Sequence, residues 1–322
     1  MNIKYLFPFF IFASISGWAT YILIQGYNLE SIYSFSWPMA LTMVVGAFIA
    51  GATAEGGGAI AFPVMTLLLS IAPADARVFS LGCQSFGMTS ASALILQKKI
   101  PIIKKCILPV SLAGIAGFII SDLFLVKILP GPIVKLFFVS LWLSFGIALW
   151  AINRNKKFNK KADLPTILTT RFIFLLSSFG LIGGAVSAVF GNGIDIITFT
   201  LLTLFFRIDE KIATPTSVIL MTIMTIFGFL WHTLIKQDVS QSVEFYLLGA
   251  IPVCLAMAPI GAYVISKLKS EVIAGFLYIV IVAQFITAIL VIKPNANQLL
   301  FSLLVLITGL GLFYFMSKKR IE

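Results

Sequence analysis

Gly51-Ala52-Thr53-Ala54-Glu55-Gly56-Gly57-Gly58, followed by Ala59-Ile60-Ala61-Phe62-Pro63, interrupts an apolar run of membrane-crossing length. A second interruption reads Gly183-Gly184-Ala185-Val186-Ser187-Ala188-Val189-Phe190-Gly191-Asn192-Gly193, followed by Ile194-Asp195-Ile196-Ile197-Thr198. Backbone that leaves a helix at membrane depth carries N–H and C=O groups that lipid cannot satisfy. It is tolerated only against protein or a wet cavity. Glycine-broken helices at matching places in two halves are a pointer to a binding site near the midplane.

The composition surrounding these breaks defines the class. Of 322 residues, 60% are hydrophobic and 11% charged, with a mean hydropathy of +1.06. Soluble domains carry about 25% charged residues, so the chain reads as an all-α, polytopic integral membrane protein in a lipid bilayer. The net charge of +11 comes from lysines and arginines clustered between apolar runs. That is the bias of cytoplasmic loops and not the footprint of a nucleic-acid binder. Cys83, Cys106 and Cys254 stand alone inside apolar stretches and read as packing residues. No cofactor and no metal site is expected.

Apolar segments fall at 5–25, 36–54, 59–72, 76–97, 101–126, 131–152, 171–190, 193–206, 212–235, 242–266, 271–292 and 297–316, about 12 in all. The first reads as a retained span because it is long and lacks a good small-residue cleavage site. Segments 59–72 and 193–206 reach only about 21 Å at 1.5 Å per residue, short of a hydrocarbon core of about 30 Å. Each is expected as a broken, tilted or re-entrant helix. Basic clusters at Lys98, Lys99, Lys104 and Lys105, at Arg154–Arg171, at Lys267 and Lys269, and at Lys318–Arg320 fall on one face with Lys4 if every segment crosses once. This places both termini in the cytoplasm and the connections 26–35, 127–130, 237–241 and 293–296 outside.

Residues 36–152 and 171–292 each contain five segments, joined by the basic linker 153–170. An odd number per copy makes the two repeats inverted in the membrane, within a single transport domain spanning 1–322. Asp75-Ala76-Arg77 pairs with Asp209-Glu210-Lys211 in this reading, and Pro63 with Thr198.

These motifs resemble the TauE/SafE sulfite-exporter family. The first copy carries Ala50-Gly51, Ala54-Glu55-Gly56-Gly57-Gly58 and Pro63; the second carries Gly191-Asn192-Gly193 and Ala213-Thr214-Pro215-Thr216-Ser217. The chain departs from the family pattern at Ala54, Asn192 and Thr198. The resemblance covers roughly residues 40–290. It implies a transporter of small sulfur-containing anions such as sulfite or organosulfonates, driven by ion coupling.

Site residues follow from chemistry. Helix N-termini offer unpaired N–H groups and positive dipole ends to an anion, and glycine lets backbone come close. Gly56, Gly57, Gly58, Gly191, Asn192 and Gly193 are therefore candidate substrate ligands; close helix packing is the other reading of these glycines. Gln84, Ser85, Thr216 and Ser217 add neutral donors at helix starts, with interhelical hydrogen bonding as the alternative. Glu55 and Asp195 are the acids of the broken segments and candidate proton carriers; a wet loop near a surface is the other environment open to them. Arg77 and Lys211 are expected as snorkelling interfacial residues, and His232 as interfacial packing beside Trp231. One histidine rules out a His-Glu-x-x-His metalloprotease, and no Gly-x-Ser-x-Gly elbow is present, so no catalytic residue is assigned. A passive anion channel is the rival transport reading. Oligomeric state is not written in the chain.

Overall fold

The computed structural model describes residues 5–318 except 55, 58, 59, 62, 63, 127, 129, 130 and 155–169. Among the described residues there are helices and no β-strand. Helix α1 (Leu6–Gln25) ends at Gly26, and α2 (Leu29–Ala52) starts at once behind the Asn28 cap, whose Oδ1 accepts the Glu30 N–H at 3.1 Å. The expected connection 26–35 therefore shrinks to three residues. The polar Glu30, Ser31 and Ser34 hide the start of α2 from an apolar count.

After α2 come a π turn (Val64–Leu68), α3 (Pro73–Gln97) and α4 (Lys104–Ile120) with its π extension Ser121–Leu125. Helix α5 (Gly131–Arg154) precedes α6 (Thr170–Phe190), and α7 (Ile194–Thr200) continues as the π turn Leu201–Phe205. Helix α8 (Glu210–Leu230) runs into the π segment Trp231–Lys236, and α9 (Gln241–Lys267), α10 (Ser270–Ile292) and α11 (Ala296–Lys318) complete the chain.

Nine helices among the described residues are long and apolar enough to cross a membrane; the chain is a multi-pass membrane protein. The remaining apolar helices, Lys135–Ala151 and Ile194–Phe205, are shorter. Twelve residues of helix reach roughly 18 Å, so the second broken segment does not span a full hydrocarbon core.

Helix α3 is the centre: 83% of its apolar stretch is buried, against 6% for α1 and 22% for α10 and α11. Around it α2 packs on α9, and α4 on α6. Both crossings are too close for side chains. A Cβ on Gly51 would collide with the Ala258 carbonyl, and one on Gly261 with that of Phe48. Likewise a Cβ on Gly117 would strike the Leu181 carbonyl, and one on Gly184 that of Gly114. Small residues thus set the interaxial distance where hydrophobic driving force between spans is weak.

The backbone downstream of the two breaks runs through the same events. Five π residues (64–68 and 201–205) lead to a residue with positive φ, Ser70 at 53° and Arg207 at 58°. Ile71 N–H then closes on the Met65 carbonyl, as Ile208 N–H does on Leu202. Helices α3 and α8 begin behind Ala72 and Asp209, both in extended backbone. This register pairs Ala72, not Asp75, with Asp209, so Arg77 falls opposite Thr214 and not Lys211. Asp209 caps its helix through the Lys211 N–H at 2.9 Å, a role Ala72 cannot play, and the shared Asp misleads a sequence alignment.

Candidate functional site

The two breaks meet beside α3. Helix α2 ends when Thr53 N–H bonds to Ile49, and the chain then doubles back until Gly57 lies against Gly46. In the second half Gly191 N–H closes α6 on Ser187, and the chain returns until Ile194 lies against Gly183, where a Cβ would sit 2.8 Å from the Ile194 Cα. Each break restarts a helix from a glycine carbonyl: Ala61 N–H bonds to Gly57, and Ile197 N–H to Gly193, both at 3.0 Å. Gly56 and Gly191 have φ of 67° and 78°, a region in which only glycine is unstrained.

Gln84, from the middle of α3, joins the breaks. Its Oε1 accepts the Gly57 N–H at 3.1 Å, while its Nε2 donates toward the Gly191 carbonyl at 3.1 Å and the Ser80 hydroxyl at 2.7 Å. The amide has one workable orientation, since Gly57 offers a donor and Gly191 an acceptor. Close approach is enforced as well. A Cβ on Gly56 would lie 2.6 Å from Gln84 Oε1 and 3.0 Å from Asn192 Nδ2. A Cβ on Gly191 would lie 2.9 Å from the Arg77 carbonyl.

Gly56, Gly57, Gly191, Asn192 and Gln84 are therefore brought together, and Gly193 follows within the same loop. Asp195 is fully buried, not at a wet surface loop, and its Oδ1 accepts the Gly193 N–H at 3.0 Å. Glu55 and Gly58 lie outside the described residues. Ser85 donates to the Gly82 carbonyl, Ser217 to Thr214, and Thr216 to Ile212 while accepting the Ile103 N–H at 2.9 Å. None of these three hydroxyls bonds to the described residues of the breaks; Thr216 ties the α3–α4 connection to α8.

Four of the described break amides already have acceptors. Gly57 is held by Gln84, Gly191 by the Ser187 carbonyl, Gly193 by Asp195, and Ile194 by the Ser187 hydroxyl at 2.9 Å.

Next to the second break lies a charged cluster that sequence reading overlooked. Asp122, on the π extension of α4, is 1% exposed. It accepts the Trp231 indole N–H at 2.9 Å and pairs with Lys236 at 3.1 Å and Arg77 at 3.7 Å. Arg77 also donates to the Ala188 carbonyl at 3.1 Å, near the end of α6. His232 Nδ1 bonds to Asp238 at 2.8 Å, and its Nε2 lies 3.8 Å from Asp122. Arg77 at 4% exposure and His232 at 0% are thus buried in a polar network, not interfacial as expected. An acid inside an apolar run is costly without a partner, and that signal points to Asp122 as it does to Glu55 and Asp195.

On the other side of Gly51 a small cleft of about 10 Å³ lies between α2, α3, α8 and α9, lined by Ile95, Lys211, Thr214, Pro215 and Ala262. Among the described residues no group of three His, Cys, Asp or Glu side chains is placed to hold a metal.

Comparison with curated proteins and with solved structures gives no match. A family model described as sulfite exporter TauE/SafE matches residues 39–288, which takes in both breaks, α3 and the Asp122 cluster. With more than three-quarters of its length in that match, the chain belongs to the TauE/SafE sulfite exporter family.

Proposed function

We propose that this protein is a secondary transporter that moves a small sulfur oxyanion, sulfite or an organosulfonate, by alternating access at the paired glycine breaks. The observation that carries this reading is the Gln84 bridge, which makes one site out of two loops more than a hundred residues apart in sequence. Small oxyanions are well served by backbone N–H groups and a neutral amide, because neither traps the anion in a permanent ion pair. An arriving oxyanion can take over the N–H groups that Gln84 and Asp195 now satisfy.

Two halves in inverted orientation, 36–152 and 171–292, supply the movement. The recurring break, π turn and positive-φ residue support that reading, as do the α2–α9 and α4–α6 crossings built alike on glycine. Transport is coupled to a cation. Asp195 is its carrier, because a carboxylate left charged beside the loop would repel the substrate. The lysine and arginine clusters support a location in the cell (inner) membrane with both termini in the cytoplasm.

The test is uptake into proteoliposomes with sulfite, thiosulfate and a short organosulfonate, each with and without a pH gradient. Saturable flux is expected for at least one of the three, and acceleration by the pH gradient would assign the coupling ion as a proton. Flux linear in concentration and indifferent to the gradient would instead identify a passive anion channel. No flux of any of them would withdraw the sulfur-anion reading.

A further inference from the structure

Two buried oxygens on α7 have no hydrogen-bond partner, Oδ2 of Asp195 and Oγ1 of Thr198. Both residues are 0% exposed, and at a spacing of three they lie on the same side of the helix. The Thr198 hydroxyl behaves unlike its neighbours. Thr200, Thr203, Thr222 and Thr225 are also buried in helices, and each donates to the carbonyl four residues back. That bond is available at little cost and removes the penalty of a dry hydroxyl. Thr198 has the same option at Ile194 and does not use it. Asp195 spends Oδ1 on the Gly193 N–H and leaves its second oxygen bare.

A bridging water, a proton, a basic side chain or a metal cation could satisfy such oxygens; a water leaves the Asp195 charge buried without a counter-charge. A proton on Oδ2 would let Asp195 donate to the Thr198 oxygen and would free the hydroxyl hydrogen for the Ile194 carbonyl, a bond that Thr198 does not make. A basic side chain is not supplied, since Asp195 has no ion pair among the described residues. A metal cation matches both at once, because carboxylate and hydroxyl oxygens are hard ligands. One carboxylate balances one positive charge, and a site this dry favours neutrality. A divalent ion recruits several carboxylates, and among the described residues no acidic cluster stands here.

We propose that Asp195 Oδ2 and Thr198 Oγ1 are ligands of a site for a monovalent alkali-metal cation, sodium in class, at the start of α7. Asp195 also holds Gly193, so cation occupancy and the shape of the second break are linked. The cation cancels the Asp195 charge beside the loop to which an anion must come. Its role as the driving ion rests on the transport reading above; the binding itself does not.

The experiment uses the purified full-length protein in nanodiscs, with no sulfur anion present. Thermal unfolding is followed in sodium, potassium and N-methylglucamine chloride at equal ionic strength. Sodium is expected to raise the Tm saturably over N-methylglucamine. Thr198→Val should raise the half-effect concentration at least about tenfold, Thr198→Ser should restore it, and Asp195→Asn should abolish the response. If Asp195→Asn fails to fold, the Thr198 pair decides alone. A wild-type Tm equal in all salts overturns the site, as does an unaltered sodium response in Thr198→Val. A Tm that follows pH but ignores sodium assigns Asp195 to a proton and overturns it too. Because no anion enters the assay, its failure is separate from any failure of the uptake experiment.

Discussion

Gln84 and Gly57 are joined through the side-chain oxygen of one and the backbone N–H of the other, at 3.1 Å, while the opposite end of the same amide reaches Gly191. The two ends of Gln84 are not interchangeable. Gln84→Glu keeps the acceptor for Gly57, loses the donor for Gly191 and adds a charge on the anion path. Gln84→Ala leaves a buried N–H without a partner, a cost of about 1–3 kcal/mol. Both variants should lower saturable sulfur-anion uptake by about tenfold or more, the glutamate more severely, since each 1.4 kcal/mol is a factor of ten. Uptake per folded protein, checked by size-exclusion profile, decides it. A wild-type rate in Gln84→Glu would remove the residue from the site.

The glycine crossings predict a graded stability series. Gly51→Ala and Gly184→Ala place a methyl group against backbone of the facing helix, where nothing can rotate away. Overpacking of this kind costs about 1–3 kcal/mol. Gly17, on lipid-facing α1, has nothing within 4 Å of an added Cβ, and Gly17→Ala should stabilise by about 0.5–1 kcal/mol. Melting temperatures in one detergent should rank Gly17→Ala above wild type and both crossing variants below it. A Gly51→Ala protein as stable as wild type would mean the α2–α9 contact is looser than described.

Much of this architecture is legible from composition, because lipid dictates it: apolar length marks spans, and glycine runs mark where spans break. The meeting of the breaks at Gln84 is less legible. The chain folds back after α2 and α6, so that Gly57 lies against Gly46 and Ile194 against Gly183. Nothing local signals a reversal of that kind; it is set by the room that Gly46 and Gly183 leave on the preceding helices. Asp122 was hidden for a related reason. Its partners Arg77, Trp231 and Lys236 are far away in sequence, so each reads as an isolated polar residue at the end of a span.

The Asp122 cluster makes its own prediction. Asp122 is the anion shared by Arg77 and Lys236 and the acceptor for Trp231. Asp122→Asn leaves a buried guanidinium without its counter-charge, which costs about 3–5 kcal/mol where one partner of a buried pair is removed. The double variant Asp122→Asn/Arg77→Met should recover part of that loss, since the charge and its unmet partner leave together. Denaturation midpoints of both single variants and the double variant form the cycle. Strict additivity would show that Arg77 and Asp122 do not interact energetically.

Asp238 sets the pH dependence on the same side of the molecule. Burial alone would raise its carboxyl, but the hydrogen bond and charge of His232, with Lys236 at 3.4 Å, outweigh this and hold it below the usual range. Its folded value thus lies below its unfolded one. The ionised form stabilises the fold at pH above the ordinary aspartate value of about 3.9, and that stabilisation disappears as pH falls through the folded value. The side chain is 38% exposed, so solvent screening keeps the effect small. Asp238→Asn should therefore melt slightly below wild type near neutral pH, and the gap should narrow as pH falls below the ordinary aspartate value and through the folded one. A gap that stays constant from neutral to acid would mean the loss comes from packing around His232 and not from the carboxylate charge.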